Sequence, residues 1–161
     1  MSDALATYLH DHLAGSHFAI KLLSSLSDQY KDDELGAFAR SLAVDVRQDQ
    51  DALQQVIEKV GKVNLDVMEA VGWLMEKASR FKLQRDKSGE GIGTFEALET
   101  LTLGIQGKAA LWSVLAVIRE VDPRVPAYEF DKLIARARDQ FQRVEVQRLS
   151  LARTTFGVHV R

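Results

Sequence analysis

Apolar residues recur at three-and-four spacing through four long stretches of the chain, the period of a helix that buries one face. Over about residues 3–26 the inward stripe reads Leu5, Leu9, His12 with Leu13, Ser16, Ile20 and Leu23. A short turn at 27–31 follows, and Asp32 or Asp33 is placed to cap a second helix that runs to about residue 60. Its stripe is Leu35, Phe38, Leu42, Asp45 with Val46, Asp49, Leu53, Val56 and Val60, and Gly61 is a natural stop. A third helix is expected over about 94–121, capped by Thr94, with Leu98, Leu101, Ile105, Lys108, Trp112 and Leu115 inward. Asp122-Pro123-Arg124-Val125-Pro126 breaks it, because proline lacks the N–H a helix needs and restricts the residue before it. The fourth helix is expected from about 126 to 155, with Phe130, Leu133 and Ile134, Ala137, Phe141, Val144, Arg148 and Leu151 inward, followed by a frayed tail.

Between the second and third helices lie about thirty residues that also carry a helical pattern. Asn64 can cap a shorter amphipathic helix over about 65–83, with Val67, Met68, Val71, Leu74, Met75 and Ala78 on one side, and a glycine-rich turn at 87–93 closes the connection. The loop lengths select a topology. Short turns make helices one and two antiparallel neighbours, and likewise three and four, while one long crossover between the two hairpins is the ferritin-like arrangement of a four-helix bundle. The fold expected is therefore all-α, one bundle domain over 1–161, with no hairpin signal for strands and no internal repeat.

Composition narrows the chemistry. The chain has 161 residues, enough for one sizeable core, and 46% hydrophobic and 27% charged residues, the balance of a soluble protein. A net charge of −2 gives no global attraction to nucleic acid or anionic membranes. The absence of cysteine removes disulfides, thiolate metal sites and thiol nucleophiles, and suits a reducing, cytoplasmic setting. The first residues, Met-Ser-Asp-Ala, do not read as a signal peptide, and no uninterrupted apolar run approaches the ~20 residues of a membrane span. No phosphate-binding glycine loop or serine elbow is present.

Three segments carry a family likeness: Tyr8-Leu9-His10-Asp11-His12-Leu13-Ala14-Gly15, the stretch from Glu76-Lys77 to Arg80-Phe81-Lys82-Leu83, and Leu98-Glu99 through Leu103-Gly104-Ile105-Gln106-Gly107-Lys108 to Leu111-Trp112. With the connectivity, they resemble the ferritin-like superfamily, and within it a family of uncharacterised bacterial ferritin-like proteins. The resemblance implies the bundle fold but no assigned activity. Better-known members of the superfamily bind two iron or manganese ions, with a Glu on each of two helices and a Glu-x-x-His pair on each of the others. This sequence departs from that pattern. The middle of helix two offers only Asp45, Asp49 and Asp51, and Glu145 is followed three residues on by Arg148 where a His would stand. Lys108 adds a second cation on an inward stripe, and a cation there repels a divalent metal.

The candidate site is accordingly a polar bundle centre rather than a metal centre. Glu99, Glu145 and Asp49 are expected to meet Lys108 and Arg148, with His12 buried nearby, because a carboxylate taken out of water needs a partner. An iron- or manganese-binding set drawn from His12, Asp45, Asp49, Glu99 and Glu145 is the alternative. His10, Asp11, His12 and His17 form a cluster on helix one, read as a polar face with one buried histidine. Lys77, Arg80, Lys82, Arg85 and Lys87 form a basic run, read as a solvated face rather than a nucleic-acid or membrane site. Gly104 and Gly107, with Gly15 opposite, are read as a close helix contact. The function expected is non-enzymatic association, as a homodimer favoured by crossover residues such as Trp73 and Met75. A metal storage or redox protein and a carrier of a small apolar ligand are the alternatives.

Overall fold

The structure, a computed structural model, describes residues 3–61, 72, 76 and 91–158. Among them are four helices and no strand: α1 (Ala4–Gln29), α2 (Glu34–Val60), α3 (Ile92–Ile118) and α4 (Phe130–Phe156). The expected crossover helix, with Trp73, Met75 and the basic run 77–87, lies outside the described residues.

Each helix touches two others. The pairs α1–α2 and α3–α4 are the extensive ones, and α1–α3 and α2–α4 complete the ring, leaving α1–α4 and α2–α3 as diagonals. Side-chain contacts set the directions. Tyr30, just past α1, bonds Thr94 in the first turn of α3 (2.8 Å), so α1 and α3 are antiparallel. Gln55 meets Tyr128, Asp49 meets Arg136 and Asp45 meets Arg143, so α2 and α4 are antiparallel too.

The helix ends follow local chemistry. Asp3 caps α1 by accepting from the N–H groups of Leu5 (3.0 Å) and Ala6 (3.3 Å). α1 runs into the expected turn at 27–31 and ends at Gln29, because Tyr30 is buried and its N–H still bonds Leu26 (3.0 Å). Gly36 is buried under this turn: a Cβ there would lie 1.9 Å from the Tyr30 carbonyl oxygen, so the α1–α2 corner closes only over glycine. Gly61 ends α2 at φ 127°, a conformation that side chains disfavour.

Two expected starts are displaced. Thr94 does not cap α3; the helix begins at Ile92, and Thr94 spends its buried hydroxyl on Tyr30. α4 begins at Phe130, not near 126, because 126–129 form a turn in which the Tyr128 N–H bonds the Pro126 carbonyl (2.9 Å). Arg124 anchors this corner, bonding Asp122, the Asp3 carboxylate and the Val60 carbonyl (3.1 Å), so one side chain joins three helix ends.

The core is two clusters with a polar layer between them. One holds Leu22, Leu23, Leu26, Leu42, Val46, Leu98, Leu101 and Ile105. The other holds Leu9, Leu53, Val56, Ile57, Leu111, Trp112, Leu115 and Phe130. Each fully buried Leu or Phe contributes roughly 1.5–3 kcal/mol relative to exposure, so both ends are strongly apolar. α3 is apolar on almost every side, and among the described residues it alone is long and apolar enough to cross a membrane, by length and composition. Lys108 and the glycines interrupt that run in the sequence, but they do not lower its mean hydropathy below that of a span.

Candidate functional site

The polar layer is built by the inward stripes themselves. Asp49 falls between Val46 and Leu53 on α2, Lys108 between Ile105 and Trp112 on α3, and Gln140 between Ala137 and Val144 on α4. α2 and α3 face each other across a diagonal, and the long lysine side chain reaches across it. Its Nζ donates to Asp49 Oδ2 (2.5 Å) and to Gln140 Oε1. Gln140 Nε2 donates to the same Oδ2 (2.9 Å), and Arg136 donates to Oδ1. Asp49 is 2% exposed and Gln140 fully buried, so this is a closed set rather than a surface ion pair.

The electrostatics follow from that closure. Burial pushes the Lys108 ammonium below its ordinary 10.5, and the adjacent Asp49 charge pulls it partly back. Asp49 faces two cations and an amide, and that environment repels a divalent metal. The carboxylate is occupied without one.

A second group lies further along α4. Arg148 bonds Glu145 (2.6 and 2.9 Å) and Glu99 (3.3 Å), and its guanidinium sits 5.5 Å from the Phe95 ring centroid. The Arg148 bonds hold the Glu145 carboxyl below its usual value. The expected single buried network of Glu99, Glu145, Asp49, Lys108 and Arg148 is thus two groups. Glu99, with its side chain 52% exposed, belongs to the outer one. The separation is geometric: Arg148 lies two helical turns beyond Gln140 on α4, out of reach of the Asp49 layer.

His12 joins neither group. It is half-buried, its ring packs edge-on against Tyr8 at 4.7 Å, and burial lowers its pKa from 6.5. His17 sits 3.3 Å from Gln50, which also donates to Ser16 (2.8 Å). Asp45 pairs with Arg143, which also reaches Asp139 (2.9 Å). The set His12, Asp45, Asp49, Glu99 and Glu145 is therefore not gathered around one point, and each of its carboxylates faces an arginine or lysine. Among the described residues no three His, Asp or Glu side chains are arranged to hold a metal ion. The donor set does not fit iron or manganese.

Gln140, Arg136 and Arg143 did not stand out in the sequence. Gln140 had a signal, since 137, 140 and 144 keep helical spacing, but Phe141 beside it competes for the same face and is only half-buried. The arginines had none, because a residue at the edge of the inward stripe can turn either way.

Beside the polar layer lies a cavity of about 530 Å3, walled by α1, α2 and α3. Phe18, Val46, Leu53, Leu101, Ile105, Leu111 and Trp112 give it an apolar surface, and His12, Ser16, Asp49, Gln50 and Lys108 add polar points. It reaches solvent at Asp11, Gly15, Leu103 and Gly104, which are exposed. The reading of Gly15, Gly104 and Gly107 as a close contact is overturned here. A Cβ built on any of them meets nothing within 4 Å, so no close helix contact depends on these glycines.

Comparison with protein-family models, with curated proteins and with solved structures returns no match.

Proposed function

We propose that the chain is a ferritin-like bundle that works by association rather than catalysis, as a homodimer joined through α3. The observation that carries this reading is an uncovered apolar stripe on that helix. Leu103 (65% exposed), Val114 (39%) and Val117 (64%) recur with Gly107 and Ala110 at alternating four-and-three spacing, and Val121 (79%), in the turn just past the helix, extends the patch. That is the period of a seam between two helices. An apolar stripe is also self-complementary, as a two-fold interface requires.

Two further observations support the ferritin-like part. The antiparallel directions put Gly61 and Gly91 at opposite ends of the bundle: Val60 lies by Arg124 and Asp3, while α3 starts by Tyr30. Ends so placed suit a ferritin-like connection, which joins opposite ends of a bundle. The polar layer also occupies the middle of the bundle, where the superfamily's metals sit, with Lys108 and Arg136 supplying positive charge instead. A lysine ion-paired with Asp49 across the diagonal favours α3 as a bundle helix over a membrane span.

Sedimentation of the full chain tests the dimer. The wild type should sediment as a dimer at micromolar concentration, and Val117→Glu should sediment as a monomer with an unchanged helical spectrum. A monomeric wild type, or a Val117→Glu variant that still dimerises, overturns the reading.

A further inference from the structure

We propose that the cavity between α1 and α3 binds a small amphiphile, an apolar body carrying one anionic carboxylate head held at Lys108 and Trp112. The volume, about 530 Å3, is that of pockets which enclose small organic ligands, and the wall is mainly apolar with few polar points, as such pockets are. Half-buried Gly107, on the wall, leaves open space where a side chain would stand.

The head-group assignment rests on donors left over by the fold. An ammonium has three N–H donors, and Asp49 and Gln140 use two of those on Lys108. Trp112 is 1% exposed and lines the cavity, yet its indole N–H has no acceptor. A buried donor without a partner is costly to leave so, and it marks a place where a ligand acceptor gains. The antiparallel register adds a third group. Since Tyr30 is level with Thr94, His12, eighteen residues earlier, is level with Trp112, eighteen residues later. Desolvation favours neutral His12, which keeps one ring N–H to donate.

Spare donors against occupied acceptors select an anion over a cation. Asp49 is the one buried carboxylate on the wall; Lys108 balances its charge, and its two oxygens already accept from Lys108, Gln140 and Arg136, so it has little left to offer a cation. Asp11 lies at the mouth and is exposed, where water screens it. A carboxylate therefore meets a donor-rich surface, with its buried acceptors already used, beside an apolar one. This inference does not rest on the dimer.

Decanoate is a suitable probe, with decanol and decylamine as head-group controls. The chain has two tryptophans, so Trp73→Phe leaves Trp112 as the only indole reporter in the full-length protein. Decanoate, below its micelle concentration, should shift Trp112 emission saturably and bind at least tenfold tighter than decylamine or decanol. Gly107→Leu, which fills the cavity, should weaken decanoate at least tenfold with the helical spectrum intact. Adsorption to the exposed α3 stripe would instead strengthen in that variant. Lys108→Met should bring decanoate and decanol to equal affinity. Absence of saturable decanoate binding, equal binding of the amine, or undiminished binding to Gly107→Leu overturns the proposal. If Lys108→Met fails to fold, the head-group comparison in the parent and the Gly107→Leu result decide it.

Discussion

The seam between α2 and α4 and the seam between α1 and α3 are built on opposite terms. Across α2–α4, polar side chains interlock at successive levels: Gln55 with Tyr128, Asp49 with Arg136 and Gln140, Asp45 with Arg143. Across α1–α3, glycine faces open space and a cavity opens beside the contacts between the helices. One bundle thus has a zipped side and an open side, with Lys108 touching both: its ammonium binds the α2–α4 network while it lines the cavity. Ion pairs fix where two helices meet, because each has only one geometry that satisfies its donors, whereas apolar contacts tolerate sliding. The zipped side supplies register, and the open side is free to accept a guest. The comparison predicts that damage to the zipped side is costly and that filling the open side is not.

The largest effect is expected at Asp49. Asp49→Ala leaves Lys108 buried without its carboxylate, and removing one member of a buried pair costs about 3–5 kcal/mol. Urea unfolding at neutral pH measures this as a lower midpoint at unchanged slope. Adding Lys108→Met to Asp49→Ala should recover much of the loss, since the stranded charge is then gone. A loss below about 1 kcal/mol for the single variant would place Asp49 among the ordinary surface ion pairs instead.

How much of this was legible beforehand differs between the two seams. The four helices and their inward faces followed from apolar spacing, and the polar residues at 49 and 108 announced themselves by interrupting otherwise apolar stripes. Gln140 was hidden because Phe141 is adjacent and more apolar. The openness of α1–α3 was not legible at all. Periodicity says which face of a helix points inward but not how near the next helix lies, so glycines that face open space look the same as glycines that close a gap. The start of α4 was missed for another reason: proline is acceptable in a first helical turn, and it is the Tyr128 N–H bond to the Pro126 carbonyl that shows the chain still turning there.

Titration of Lys108 should give a smaller effect from the same network. Its folded pKa lies below the ordinary 10.5 because burial disfavours the ammonium. Between that lowered value and 10.5, the unfolded chain still holds a proton that the folded chain has released. Stability should therefore rise with pH across this window, by linkage, and the gain should disappear as pH falls through the folded pKa. Lys108→Met should lack that rise, and comparing the two chains by urea unfolding from pH 8 to 11 cancels the tyrosines they share. A wild type that parallels Lys108→Met over the whole range would mean that the lysine reaches water.

The smallest effect, and the one that separates the seams most directly, is at the helix-interior glycines. Gly104 and Gly107 have ordinary helical backbone and empty space where a Cβ would stand. Alanine there restricts the unfolded chain without meeting a neighbour in the folded one, so each substitution should stabilise by roughly 0.5–1 kcal/mol. Gly36→Ala is the matching control: its Cβ would collide with the Tyr30 carbonyl and must displace backbone, so it should destabilise. Thermal melts of the three single variants read the sign. If Gly104→Ala and Gly107→Ala destabilise as Gly36→Ala does, α1 and α3 approach as closely as α1 and α2, and the open side closes. If they stabilise, the glycines are kept at a cost to the helix, and that cost is what a binding cavity in this seam accounts for.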